Sequence, residues 1–238
     1  MTAPNQTSMK NKLLAMLPPQ DYAAVAPHLE YCDLPRGTIL AHVAEPVEYI
    51  HFLTSGAGSV IVVTRENHRA EAGLFGFEGY VPSHAAAGSR ISPHEVLIQL
   101  PGEGYRMKFH TFVNVIDSNK NFRTVVHRSV AAFSIQLSYN GASNGIHEVS
   151  ERLARWLLMC HDRVQGNELP LTHDFMALML AVRRPSVTTA LHVLEGNHFI
   201  RADRGLITVR DRAAMEEFAH DGYGQAEEEY ERLMEGLF

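Results

Sequence analysis

A cluster of arginine and short hydroxyl side chains offers the chemistry of nucleic-acid binding. Arg183, Arg184, Ser186, Thr188 and Thr189 stand close together in the last third of the chain. An arginine fork donates hydrogen bonds to phosphate oxygens or to the acceptor edge of guanine, and hydroxyl groups contact phosphates and bases. Acids are scarce from this cluster to residue 212, so the region carries the local positive charge that phosphate binding needs.

Two short helices joined by a tight turn must hold these side chains. Apolar residues at helical spacing predict a first helix after Thr172. Pro185 suits the first turn of a second helix, whose buried face would be Val187, Leu191 and Leu194. The polar cluster falls on the opposite face of that second helix. This layout predicts a helix-turn-helix that reads DNA.

A basic hairpin follows the second helix. Gly196-Asn197 ends the helix, and two β-rich runs, 199–201 and 206–209, flank Asp203-Arg204-Gly205. We expect a two-stranded wing with Arg204 at its tip. A helical hairpin packed on a small sheet without a ligand is the alternative, and the lack of acids on the polar face argues against it.

Composition bounds the class of protein. At 238 residues the chain is long enough for two domains, and its net charge of −6 arises in an acidic C-terminal tail. Neither a membrane-spanning apolar run nor a secretory signal is visible, which predicts a cytoplasmic protein that does not contact a membrane. Cys32 and Cys160 do not make a disulfide framework.

The first half of the chain predicts a β domain. Two short helices broken by prolines precede Tyr31, and short β-rich runs separated by turn residues continue to about Phe109. Many short strands at regular spacing are typical of a sandwich or jelly roll. The prediction is an α+β protein of four parts: a sensor β-barrel with its N-terminal helices at 1–117, a long helix and hinge at 118–144, a winged helix-turn-helix at 145–222, and an acidic tail at 223–238.

The long helix carries a narrow apolar stripe. Its members step by three and four positions: Phe122, Val126, Val130, Phe133 and Leu137. A narrow stripe on a long helix predicts pairing with a second copy across a two-fold axis. Packing of the helix on its own barrel is the alternative. The run 141–145, which contains two glycines, is interpreted as the hinge that reorients the DNA-binding domain.

A barrel, a long helix, a hinge and a winged helix-turn-helix, in that order, resemble the Crp–Fnr family of bacterial transcription regulators. The resemblance covers roughly residues 10–220 and is strongest at 149–158, 169–177 and 182–188, with shorter matches at 34–37, 52–56 and 76–79. It implies a homodimer that places one recognition helix per subunit in successive major grooves of a near-palindromic site. It also implies a contact with RNA polymerase.

The resemblance assigns roles to individual residues. By position in the family's motif, Arg184, Ser186 and Thr189 would line the groove, with Arg183 beside them, while Thr172 would cap the first helix and touch phosphate.

The chain departs from the best-known members at two of these positions. Pro185 replaces an acid that accepts from cytosine, and Thr189 replaces a second arginine that grips guanine. We therefore predict a different operator, with Arg184 as the main guanine reader.

The resemblance also indicates where an effector would bind. Cyclic-nucleotide-binding members clamp the ligand with backbone amides, a glutamate and an arginine, and the corresponding run contains Gly76, Glu78 and Gly79. Ser92-Pro93-His94 replaces the expected arginine–hydroxyl pair, and Arg90 could substitute only if its loop bends back. A buried phosphate without a cationic partner is costly, which argues against cyclic nucleotides.

Other inputs stay open. An iron–sulfur cluster needs about four thiolates, and the chain has two cysteines. Haem, a thiol switch at either cysteine, an unknown small molecule or no ligand remain, so the cofactor is unknown. The haem-ligand candidates near the barrel are His42, His51, His84, His94, His110 and Cys32.

Two other classes of protein are disfavoured. A barrel is also the architecture of cupin metal enzymes, but their short His-x-His motif does not occur here, nor does any common hydrolase or phosphate-loop motif. A ligand-binding module that does not contact DNA would not need Arg183-Arg184. The sequence therefore predicts a regulator rather than an enzyme.

Overall fold

A computed structural model describes residues 3–238; residues 1 and 2, with which the predicted sensor domain begins, lie outside this range. The sensor half has two short helices and seven strands: α1 (Lys12–Ala15), α2 (Pro19–Val25), β1 (Glu30–Leu34), β2 (Ile39–Ala41), β3 (Tyr49–Leu53), β4 (Ala57–Val63), β5 (Arg69–Phe75), β6 (Glu95–Leu100) and β7 (Gly102–Lys108). The rest comprises α3 (Phe109–Ser118), α4 (Lys120–Ile146), α5 (Val149–His161), β8 (Glu168–Leu169), α6 (His173–Met179), α7 (Arg184–Gly196), β9 (Ile200–Asp203), β10 (Leu206–Val209), α8 (Arg212–Ala219) and α9 (Gln225–Met234).

The seven sensor strands form two antiparallel sheets, in the orders β1-β7-β3 and β2-β6-β4-β5. The α+β class and the predicted β-sandwich are confirmed. An aromatic cluster fills its core, where the Phe52, Phe112 and Phe122 rings lie about 6 Å apart, centre to centre. Strand β1 was not predicted, because its sequence, Glu-Tyr-Cys-Asp-Leu, carries two acids and buries only its last residue.

Helix α4 is a single helix of 27 residues. The Asn119 side chain caps it by accepting a hydrogen bond of 2.8 Å from the Phe122 amide. The predicted hinge at 141–145 lies inside this helix, which ends only at His147, where the backbone is extended. The hinge prediction is therefore wrong in position. A glycine costs a helix about 1 kcal/mol but does not by itself end it.

The apolar stripe of α4 packs on its own barrel. Phe122 and Val126 are completely buried within the subunit, so they offer no surface to a second copy. Phe133 and Leu137 lie against Gly73 of β5, where an added Cβ would approach the Leu137 side chain to 2.6 Å. For these four residues the alternative holds: the stripe packs on the protein's own barrel, which covers the helix face that was expected to pair with a second copy.

The predicted DNA-binding domain comprises α5 to α8 and a small sheet in the order β8-β10-β9. Its hairpin, β9 and β10, matches the predicted wing, and the unpredicted β8 adds a third strand through two residue pairs with β10. The core joins helices and sheet: Leu153, Leu157, Met176, Val187, Leu191, Leu194, Ile207 and Met215.

The predicted DNA-binding domain and α9 both pack on the barrel. Ile61 and Leu74 of the barrel belong to the same apolar cluster as the core of the DNA-binding domain. Helix α9 lies on α4, and its Met234 belongs to the apolar core of the barrel. None of the helices in residues 3–238 is long and apolar enough to cross a membrane.

Candidate DNA-binding face and effector cavity

The helix-turn-helix is built as its sequence predicts. The Thr172 hydroxyl caps α6 by accepting a hydrogen bond of 3.3 Å from the Phe175 amide. Ala181 adopts a positive φ of 51° in the turn that follows. Arg183 is the extended N-cap residue of α7, and the helix begins at Arg184. The start of the second helix therefore projects its first residues into solvent.

The exposed face of α7 brings together most of the predicted DNA-binding residues. Arg183, Arg184 and Thr189 are exposed, and Ser186 is half-buried. The Arg184 Nε lies 3.1 Å from an Asp174 carboxylate oxygen, and both side chains are largely exposed. Such a surface pair contributes little free energy, so Arg184 is free to exchange its partner for a base or a phosphate.

Thr188 is placed differently from the other members of this set. Its Oγ1 lies 3.1 Å from the His173 Nδ1 and donates to the Arg184 carbonyl at 3.3 Å. The residue is half-buried between α7 and α6. Its hydroxyl therefore joins the two helices of the motif.

The wing presents Arg204. This residue is exposed in the turn between β9 and β10, and Gly205 provides the positive φ of 77° that closes the turn. Arg201 and Asp203 pair at 2.9 Å on β9, so Arg201 is neutralised while Arg204 has no carboxylate partner among residues 3–238. The wing therefore offers one unpaired guanidinium to a DNA backbone.

Two of the four predicted effector residues line a large cavity. Glu78 and Gly79 line a space of about 1050 Å³ between the barrel, α4 and α9, and the Gly76 amide donates to the Glu78 carboxylate at 3.1 Å. Arg90 does not reach them. It is exposed and lines a separate depression of about 450 Å³ with Lys108.

Arg163 is the cation that Glu78 contacts. This arginine lies just after α5, and its Nε and a terminal nitrogen donate to one Glu78 oxygen at 2.9 Å and 2.6 Å. Its other terminal nitrogen donates to the Met159 carbonyl at 2.6 Å, and only 7% of the side chain is exposed. Sequence reasoning missed Arg163 because no local motif marks a partner 85 residues away.

A second buried polar chain joins the barrel to α5. A Glu71 carboxylate oxygen lies 2.5 Å from the Ser59 Oγ, and the other accepts from the Trp156 indole at 3.0 Å. Ser59 also contacts the Gln99 Oε1 at 2.7 Å, and the Gln99 amide lies 3.4 Å from the Cys160 sulfur. Since Ser59 has one proton and two acceptors, a protonated Glu71 that donates to Ser59 satisfies the whole chain.

Burial raises the pKa of Glu71 to about 7, although hydrogen bonds from Ser59 and Trp156 oppose the shift, as do the nearby Arg155 and Arg163. The residue as a whole keeps partial solvent exposure, but its carboxyl group is enclosed. Because the carboxyl group itself is enclosed, its pKa follows the burial of that group, and Glu71 gains or loses its proton near neutral pH.

The residues considered for haem or redox sensing are scattered. His42 and His110 are exposed, whereas burial lowers the pKa of His51 to about 4. Burial raises the pKa of the Cys32 thiol to about 11 and that of Cys160 well above its ordinary value, which suppresses the reactive thiolate of both. Within residues 3–238 no three histidine, cysteine or acidic side chains are grouped to hold a metal ion.

His84 and His94 are the remaining histidine candidates. Burial lowers the pKa of both, and the neighbouring His94 adds to the shift at His84.

Comparison with known proteins decides the class of the DNA-binding domain. Residues 151–218 match the family model of the Crp-like helix-turn-helix domain. These residues belong to the Crp-like helix-turn-helix family. The match begins within α5, ends within α8 and includes all the predicted DNA-binding residues.

Comparison with solved structures covers most of the chain. A putative transcriptional regulator of the Crp/Fnr family from Eubacterium rectale has a TM-score of 0.67 and 17% identity, covering 87% of this chain and 97% of its own. A CRP-family regulator from Thermus thermophilus has a TM-score of 0.65 and 16% identity, covering 79% of this chain and 96% of its own. FixK2 from Bradyrhizobium japonicum has a TM-score of 0.65 and 14% identity, covering 80% of this chain and 96% of its own. No curated protein matches significantly. The protein has the fold of Crp/Fnr-type transcriptional regulators, and the resemblance is confirmed.

Proposed function

We propose that the protein is a homodimeric, sequence-specific transcription regulator whose sensor barrel controls its Crp-like DNA-binding domain. The observation that carries the proposal is the exposed face of α7, where Arg183 and Arg184 stand free of strong partners in a domain of DNA-binding type. The protein acts by binding rather than by catalysis, in the cytoplasm, and contacts RNA polymerase at the promoter.

In this mode of binding, α7 enters the major groove. Arg184 reads guanine through two hydrogen bonds, Ser186 and Thr189 contact neighbouring bases or phosphates, and Arg204 and Thr172 contact the backbone. Two subunits place their α7 helices one helical turn apart, so the operator is nearly palindromic.

Selection of random DNA fragments by the purified full-length protein tests the proposal. The expected result is a two-fold symmetric site whose half-sites lie about 10 base pairs apart, centre to centre. A folded, dimeric protein that enriches no sequence, with or without cell extract as a source of effector, would contradict it.

Arg184→Ala is expected to weaken binding to the selected operator by about 1–3 kcal/mol and to relax the requirement at one base pair per half-site. The reason is the loss of a bidentate contact to guanine. Competition binding against a set of single-base operator variants measures both effects. Arg65→Ala is the control, because it removes the same charge from an exposed turn of the barrel. An equal loss on every DNA sequence would instead make Arg184 a phosphate contact.

We propose a dimer contact on the free face of α4. The helix carries no Asp, Glu, Lys or Arg after Arg128, which is unusual for a helix face in water. Its exposed residues there are all uncharged, and small side chains recur along one face: Ala131, Ser134, Ser138 and Ala142. Small side chains let two helices approach closely across a two-fold axis. Val130, which is half-buried at the edge of the stripe, borders this face.

Ser134→Glu combined with Ser138→Glu is expected to convert the dimer to a monomer, because it places like charges opposite each other at the two-fold axis. Light scattering after size-exclusion chromatography measures the mass, and operator binding should fall with it. Ser89→Glu, in an exposed barrel loop, is the control. A double variant that remains dimeric would place the interface elsewhere.

A further inference from the structure

The large cavity is lined by segments that lie far apart in the sequence. The end of β5 with the following loop, α4 and α9 form most of its wall, and α1 and the residues just after α5 contribute Lys12 and Arg163. At about 1050 Å³ the space lies at the upper end of the size range of small-molecule sites. Six aromatic rings line it: Phe75, Phe77, Tyr80, Phe133, Tyr223 and Tyr230.

Every cation that lines the cavity already has a carboxylate partner. The Lys12 ammonium pairs with Glu231 at 3.1 Å, and Arg232 pairs with Glu229 at 2.6 Å. Arg163 is held by Glu78, as described above. An anionic ligand would therefore have to break one of these pairs to gain a counter-charge.

The acids of the lining are in excess. Glu227, Glu228 and Glu235 also face the cavity, and none of them forms an ion pair within residues 3–238. The Glu227 carboxylate accepts a hydrogen bond of 3.1 Å from the Gly224 amide, which fixes it at the start of α9. The lining thus carries unpaired carboxylates, whereas each of its cations is already paired with an acid.

Lys12 shows that this lining holds an ammonium group. Its nitrogen lies 5.2 Å from the centre of the Tyr230 ring and 6.0 Å from that of Phe77, while Glu231 completes the set. Aromatic faces with a nearby carboxylate are the usual recognition chemistry of amines and quaternary ammonium ions.

We propose that the cavity binds an organic cation, an amine or quaternary ammonium carried on an apolar body of drug-like size. Its charge faces Glu227 and Glu228, its body contacts the aromatic lining, and α9 forms the lid. The inference rests on the proposed function of the barrel as a sensor. It assigns that sensor a ligand of the opposite charge to a cyclic nucleotide.

Calorimetric titration of the full-length protein with benzyltrimethylammonium tests the proposal. We expect saturable binding of one cation per subunit, clearly tighter than that of benzyl alcohol, which lacks the charge, and of cyclic AMP, which reverses it. The proposal is overturned if benzyl alcohol binds as tightly as the cation, if cyclic AMP binds more tightly, or if the cation does not bind.

Two sets of variants test the site itself. Glu227→Gln combined with Glu228→Gln should weaken cation binding about tenfold, because it removes two partly exposed charges but keeps the capping oxygen. Glu66→Gln with Glu217→Gln makes the same charge change away from the cavity and should leave the affinity unaltered. Lys12→Met removes the built-in competitor and should tighten binding, a gain that misfolding cannot produce.

The outcomes distinguish this inference from the function on which it rests. A protein that selects a palindromic operator but ignores organic cations keeps its function and loses this effector class. A protein that binds the cation through Glu227 and Glu228 but selects no DNA keeps the binding site and loses the proposed function.

Discussion

Glu78→Ala is expected to destabilise the protein by about 3–5 kcal/mol, because it leaves the Arg163 guanidinium buried without the carboxylate to which it donates. Both side chains are largely buried, and Arg163 donates two hydrogen bonds to one Glu78 oxygen. Only the Met159 carbonyl would remain as its partner. The pair also connects the barrel to the end of α5, so its loss should loosen the contact between the two domains.

Unfolding in urea, followed by tryptophan fluorescence, measures this effect, because the single tryptophan, Trp156, lies in α5 at the domain contact. Replacing both Glu78 and Arg163 by Met should cost much less than Glu78→Ala alone, since no unpaired charge stays buried. Glu217→Ala, at an exposed position of α8, should change stability by less than about 0.5 kcal/mol. Equal losses in the single and double variants would show that packing, rather than charge, governs this contact.

The packing of the DNA-binding domain on the barrel is expected to weaken as the pH rises from about 4.5 to about 7. Glu71 has its pKa raised to about 7 in the folded protein. A carboxyl whose pKa is raised by folding binds more protons in the folded than in the unfolded state through this range. Its stabilising contribution is complete below the unfolded pKa and is lost as the pH rises through the folded one. The shift corresponds to on the order of 3 kcal/mol.

Glu71→Gln separates this contribution from those of other groups. The amide keeps a neutral polar group that donates to Ser59 at every pH, so the variant should be more stable than wild type above pH 7. Its stability should also fall less steeply between pH 5 and 7. Urea midpoints of the two proteins at several pH values measure the difference. Parallel pH profiles would show that Glu71 does not carry the dependence.

Local periodicity made much of the fold predictable from the sequence. Strands β2 to β7 are separated by turn residues, and the two helices around Pro185 show apolar spacing and a proline start signal. Strand β8 has two residues and carries no such signal. The stripe of α4 was visible, but a stripe records only that a face is buried and not what covers it. The hinge was predicted at 141–145 because glycine is compatible both with a helix and with a break in one, and here the helix continues through both glycines.

The two candidate sites differ in how much of each could be predicted from the sequence. The face of α7 is local, so Arg183, Arg184 and Thr189 could be placed from a few neighbouring residues. The partner of Glu78 could not, because Arg163 reaches it from the other domain. The packing of the acidic tail was not predicted either. Four of its apolar side chains pack on the apolar core of the barrel: Tyr230, Leu233, Met234 and Leu237.

The chain enters and leaves the DNA-binding domain at one place. His147, where α4 passes into α5, lies 2.9 Å from Asp221 near the domain's other end, and Arg155 binds the carbonyl of the adjacent Gly222 at 2.6 Å. Helices α4 and α9, on either side of this point, pack together. The DNA-binding domain is thus flanked in the sequence by two helices, α4 and α9, that both pack on the barrel. Because the two ends of this domain lie close together, it could be replaced by another domain while α4 and α9 keep their positions on the barrel.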